Sequence, residues 1–159
     1  MTRKHSNYKP RPVRYDNMAY VKQGFRTLPE LSDENVITRA ANHDALRSIA
    51  AGTGTAADVD VLINAFNMCE ALVHVRANLG MDWKAEIRAG QNALEAMCNR
   101  GVATGRFLFT GPELTAINTA MEIHDAQLDE TRVIEIEQAG NMIAKVLRTK
   151  KATRIGVAA

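Results

Sequence analysis

The stretch TAADVDVLINAFNMCEALVHVRANLG, residues 55–80, decides the fold class. Thr55 and Asp58 stand three residues apart, the spacing at which a hydroxyl and a carboxylate satisfy the free N–H groups of a helix start. Behind them Val59, Leu62, Ile63, Phe66, Cys69, Val73 and Ala77 recur at intervals of three and four, one apolar face of a helix. The pattern predicts a helix from Ala56 to about Leu79, stopped by Gly80.

The same logic extends in both directions. Upstream, Ser32 is placed to cap a helix whose first turn holds Asp33 and Glu34, where the macrodipole favours negative charge. That helix is expected to reach about Ala51 and to end in Gly52-Thr53-Gly54. Downstream, Asp82 is expected to cap a third helix with Trp83, Ile87, Gly90, Leu94, Met97 and Cys98 inward and Gly101 as its stop. Residues 102–111, VATGRFLFTG, break the helical pattern and read as an ordered crossover whose aromatics enter the core. One isolated extended piece cannot make a sheet. Thr110-Gly-Pro-Glu113 opens a fourth helix carrying Leu114, Ile117, Met121 and Leu128, with Pro112 in its first turn. A bend near Asp129-Glu130-Thr131 leads to a fifth, with Ile136, Gly140, Ile143 and Leu147 inward. The expected fold is all-α, a single-domain bundle of four to five amphipathic helices.

Charge is segregated along the 159 residues. Residues 1–26 carry Arg3, Lys4, Lys9, Arg11, Arg14, Lys22 and Arg26 against one acid, Asp16. Residues 145–159 carry Lys145, Arg148, Lys150, Lys151 and Arg154 and no acid. The middle keeps 8 basic residues against 17 acids, so a formal total of +2 hides an acidic body between two basic ends. Pro10, Pro12 and Pro29 favour an extended chain at the N-terminus. The expected division is therefore a basic Pro/Tyr-containing arm at 1–30, a helical bundle at 31–148 and a basic tail at 149–159. No apolar run approaches the roughly 20 residues needed to cross a bilayer, and no hydrophobic segment follows the charged start. Membrane binding is not expected, and the localisation reads as cytoplasmic. Cys69 and Cys98 sit inside helical patterns without a CxxC pair and read as buried, reduced thiols.

Several polar residues project onto the apolar faces. Glu70 falls between Phe66 and Val73 with His74 one turn on, and Asp125 falls between Met121 and Leu128 with His124 beside it. A carboxylate in a core must be paired, protonated or metal-bound, because an isolated buried charge is too costly. One reading is a pairing network of Glu70 or Asp125 with Arg132, Asn67 or Asn118 that sets helix register. A second is a face left open for a partner. A third is a metal or hydrolytic site built from Glu70, His74, His124 and Asp125, although Glu70-x-x-x-His74 lacks the Glu-x-x-His spacing of carboxylate-bridged bundles. Phosphate-binding glycine loops and nucleophile elbows are absent from the sequence. No cofactor and no catalytic residue is expected from these patterns.

The basic ends offer a different chemistry. Tyr8, Tyr15 and Tyr20 interleave with Lys4, Lys9, Arg11, Arg14 and Lys22, a composition that neutralises phosphates and stacks on bases. Arg3, Lys4, Lys9, Arg11, Arg14, Lys22, Lys150, Lys151 and Arg154 are the candidate contacts to nucleic acid or to another partner. Exposed Met and Ala on the third and fifth helices suit a symmetric homodimer.

Taken in order, YKPRPVRYD (8–16), DVDVLINAFNMCEAL (58–72), EIRAGQNAL (86–94) and GRFLFTGPELTAINTAMEIHDAQLDE (105–130) resemble short orphan proteins of proteobacterial phages and prophages. The resemblance spans most of the chain and brings no catalytic residues with it. It implies a phage gene product that acts by binding a host component. The expected function is thus a non-enzymatic accessory protein that binds and modulates a host protein or nucleoprotein complex, for example as a defence-system inhibitor. Nucleic-acid binding through the arms and metal-dependent hydrolysis in the bundle are the alternatives.

Overall fold

A computed structural model describes residues 17–27 and 32–149 of the chain. The expected contacts Arg3, Lys4, Lys9, Arg11, Arg14, Lys150, Lys151 and Arg154 lie outside the described residues.

The fold is all-α. Its helices are α1 (Asn17–Gly24), α2 (Ser32–Ala50), α3 (Ala56–Val75), α4 (Lys84–Thr104), α5 (Gly111–Glu130) and α6 (Val133–Arg148), with a 3-10 turn at Met81–Trp83. Six helices among the described residues replace the expected four or five, because α1 forms inside the segment read as an extended arm. The prolines that argued for extension, Pro10, Pro12 and Pro29, flank α1 in sequence, and Asn17–Gly24 contains none. No helix among the described residues is long and apolar enough to cross a membrane.

α3 organises the rest. Its first turn carries the full reciprocal cap: the Thr55 N–H donates to Asp58 Oδ2 at 2.7 Å and the Asp58 N–H donates to Thr55 Oγ1 at 3.3 Å. α2, α4, α5 and α6 all pack on α3. The main core joins Ala45, Leu46 and Ile49 of α2, Leu62 and Phe66 of α3, Leu94 and Met97 of α4, and Ile117 and Met121 of α5. A second cluster, Ala71, Leu72, Leu79 and Ala139, seats α6 on the other side of α3.

α4 and α5 meet through small residues. A Cβ on Gly90 would lie 2.5 Å from Ala120 Cβ, so only glycine admits this approach. Gly101, expected to stop α4, instead lies inside it, where a Cβ would stand 2.2 Å from Phe107 Cδ1. The stop is Gly105, at φ +73°, and the glycine at 101 makes room for the ring of the crossover. Phe109 is buried beside it, as the crossover reading expected.

Two further boundaries and one buried face depart from expectation. α3 ends at Val75, because Arg76 turns extended and donates to Glu130 O at 2.7 Å, and Leu79 folds back into the α3–α6 cluster. Asp82 does not cap α4, and Trp83 is exposed, since the 3-10 turn takes both out of phase with Ile87. On α6 Ala139 is the buried apolar residue, whereas Leu147 stays 59% exposed.

Arg100 and Glu113 lock the α4–α5 connection. Arg100 donates to Glu113 Oε1 at 2.9 Å and Oε2 at 2.6 Å, and also to Leu108 O at 2.8 Å. Glu113 additionally accepts the Thr110 N–H, closing the cap of α5. The Arg100 hydrogen bond, helped by the Thr110 backbone, holds the Glu113 carboxyl down at about 2. A carboxyl whose folded pKa is depressed stabilises above its unfolded value and loses that contribution as pH falls. Stability is therefore expected to drop as pH falls from about 4.5 to about 2, and Glu113→Gln to flatten this part of the curve in denaturant titrations.

The glycines supply a paired prediction. Gly101→Ala is expected to cost ~1–3 kcal/mol through overpacking against Phe107. Gly140→Ala, within α6 and with nothing inside 4 Å of the added Cβ, is expected to gain ~0.5–1 kcal/mol from helix propensity. Urea midpoints at constant slope check both.

Candidate functional site

The polar residues of α3 share one strip. Asn67, Glu70 and His74 follow at helical spacing on the side of α3 that the other described helices leave open. They form the floor of a groove of about 470 Å³ between α4 and α6. Glu70 was expected at the centre of an apolar stripe. The apolar residues instead wrap most of α3, and the polar strip is the remainder.

Glu70 is held from α4. Arg88 donates to Glu70 Oε1, and Gln91 Nε2 donates to Glu70 Oε2 at 2.8 Å. Both carboxylate oxygens are occupied by protein donors, so Glu70 acts as a strut across the groove floor. The expected partners Arg132 and Asn67 do not provide this pairing. His74 is exposed at the groove edge.

The walls differ in character. α4 contributes Arg88, Asn92 and Glu95, and α6 contributes Met142, Ile143, Val146 and Leu147. Met142 and Val146 are 39% and 44% exposed, so the apolar wall stays open to water. Among the described residues Glu95 has neither a hydrogen-bond donor nor an ion-pair partner.

The second polar group lies between α2 and α5. Asp125 Oδ2 meets His43 Nε2 at 2.8 Å, and Arg39 donates to Asp125 O at 3.0 Å and to Asp129 Oδ1. His124 is turned inward, 1% exposed, with Nδ1 directed at Gln127 Oε1. Burial pushes the His124 imidazole below its ordinary pKa, which keeps it neutral at physiological pH. Gln127 Nε2 donates to Cys69 O at 3.0 Å and to Leu79 O, tying α5 to α3 and to the turn behind it. Gly80, at φ +114°, lets that turn pass close to Gln127.

Glu70 and His74 thus belong to the groove, whereas His124 and Asp125 belong to the α2–α5 contact. No group of three or more His, Cys, Asp or Glu side chains among the described residues is arranged to hold a metal ion. The four candidate ligands are not brought together, because Glu70 is turned toward α4 and Asp125 toward α2. Desolvation raises the Cys69 thiol to about 12 and the Cys98 thiol to about 11, so neither supplies a thiolate at neutral pH.

Sequence reasoning missed Arg39, His43, Arg76, Arg88 and Glu135. Arg76 Nε lies 3.0 Å from Glu135 Oε1, a pair that pins the start of α6 to the end of α3. Arg39 and His43, four residues apart, share one face of α2, and that spacing was the available signal. Arg88 and Arg76 gave no signal, because their partners are 18 residues or more away in sequence.

Of the candidate basic contacts, Lys22 lies within the described residues and is exposed on α1; two further basic residues, Lys145 and Arg148, are exposed in the last turn of α6. Gly24 lies against Ile134, roughly 21 Å along α6 from Arg148.

Comparison with protein families, with curated proteins and with solved structures gives no match for the chain.

The geometry separates structural from free polar groups. Asp125→Ala removes the acceptor of His43 and is expected to cost on the order of 1 kcal/mol. His74→Ala, at an exposed position, is expected to stay within ~0.5 kcal/mol of the parent. Equilibrium urea unfolding at pH 7 distinguishes the two.

Proposed function

We propose that the chain is a non-enzymatic accessory protein of the phage type that binds and modulates a host protein or nucleoprotein complex. The observation that carries this reading is the way polar and apolar groups are distributed. The carboxylates singled out by the sequence are spent on pairs between helices, whereas 12 large apolar side chains among the described residues stay in water. Val36 and Ile37 are the most exposed of these, at 64% and 67%, adjacent on α2. Exposed aliphatic side chains of this size are costly to leave in water and gain most from an apolar partner surface. The resemblance to phage orphan proteins supports a host target, and a cytoplasmic setting follows from that role. Inhibition of a defence system is one form such binding takes.

The basic ends support a second reading, nucleic-acid contact. Lys145 and Arg148 point outward on the last turn of α6, and Lys150, Lys151 and Arg154 follow them in sequence. In this reading affinity falls steeply with salt and is lost when both ends are trimmed.

Capture from nuclease-treated bacterial lysate tests the first reading. The full chain is expected to retain one stoichiometric protein at moderate salt, and Val36→Asp with Ile37→Asp to lose it with an unchanged helical spectrum. Equal retention by both chains, or none by either, contradicts it.

A further inference from the structure

We infer that the groove between α4 and α6 is a self-association surface, filled by α4 of a second copy in an antiparallel, two-fold arrangement. The inference goes beyond host binding and does not depend on it, since it concerns the purified chain alone.

Charge decides the occupant. Arg88 and Glu95 both line the groove and stand seven residues apart on α4, so they share one face about 10.5 Å apart. Two copies of such a helix running antiparallel bring each Arg88 to the partner's Glu95, twice over, about one axis. A two-fold interface requires this reciprocity: whatever meets residue 88 must itself be met by residue 88 of the other copy. No described residue pairs with Glu95. Arg88 gives one nitrogen to Glu70 and remains 56% exposed, so the rest of its donor fork is free for a second carboxylate. Parallel packing of the same helices would set Arg88 on Arg88 and is disfavoured by like charge.

Shape agrees with charge. The outer face of α4 is narrow, with Ala85, Ala89 and Ala96 exposed around Asn92. A helix with small side chains enters a groove more deeply than one with bulky ones. The wall it meets is the exposed apolar edge of α6, Met142, Val146 and Leu147, which the described residues leave uncovered. Each copy thereby covers the other's α6 edge. Two helices per side make a small interface, so dissociation in the range of ~10–100 µM is expected.

With residue 88 opposite residue 95, the two-fold axis passes between residues 91 and 92. Asn92→Cys then places the two sulfhydryls beside the axis, whereas Glu122→Cys on exposed α5 places them far from it. Cys69 and Cys98 are buried and do not compete for a short bismaleimide. Sedimentation equilibrium of the full chain is expected to show a 17.5 kDa species doubling in mass as concentration rises. Glu95→Lys sets like charges together at both symmetric contacts and is expected to weaken the dimer at least about tenfold. It removes no pair among the described residues, so its circular dichroism and urea midpoint are expected to stay with the parent. Asn92→Cys is expected to cross-link into a covalent dimer and Glu122→Cys to stay uncross-linked. A chain that stays monomeric up to about 1 mM overturns the proposal. So does a dimer that is indifferent to Glu95→Lys or that cross-links at residue 122 and not at residue 92.

Discussion

The burial of α3 on most of its circumference is the constraint on which the rest of the structure depends. Four other long helices rest on this one, and Leu62, Phe66, Cys69, Leu72 and Val73 are essentially without solvent contact. A helix covered on so many sides needs apolar residues beyond a single stripe, which is why the sequence of α3 is apolar almost throughout. Its few polar side chains must then collect on the one strip that remains. That strip becomes the floor of the groove, so the position of the groove follows from the packing of the core.

The same constraint explains how polar groups are used. Around α3, the spaces between helices are bridged by long side chains from neighbours: Arg88 and Gln91 to Glu70, Arg76 beside Glu135, Gln127 to the carbonyls of Cys69 and Leu79. Each bridge joins different elements, so together they set the register of α4, α5 and α6 against α3. Hydrogen bonds of this kind add modest net stability but make alternative packings costly, because those would strand a buried polar group. What the described bundle does not consume is the set of exposed aliphatic residues of α2 and the open α4–α6 groove.

Much of the fold is legible in local sequence, and what is not legible has physical reasons. The caps at Thr55/Asp58 and Thr110/Glu113 act within four residues, and their spacing alone locates two helix starts. Gly101 misleads because glycine serves two purposes. It ends helices by its backbone freedom and admits close neighbours by its missing side chain, and only the ring of Phe107 decides between them. The early end of α3 is equally invisible, since Arg76 leaves the helix for partners 54 and 59 residues away. In the candidate site Glu70 and Asp125 are paired, one of the three readings that their placement among apolar neighbours left open. The partners, Arg88 and His43, came from other helices than those expected, because a helical projection orders residues around one axis and says nothing of which axis lies opposite. α1 was obscured by the prolines that flank it.

Amide hydrogen exchange, followed residue by residue on dilute and on concentrated chain, tests the central claim most directly. A buried α3 with a self-covering groove predicts that amides from Leu62 to Val73 exchange slowest at both concentrations. It also predicts that α4 between residues 88 and 99 gains protection on concentration while α1 and the first turns of α2 do not. Exchange in α3 as fast as in α1, or protection that ignores concentration along α4, would contradict the account.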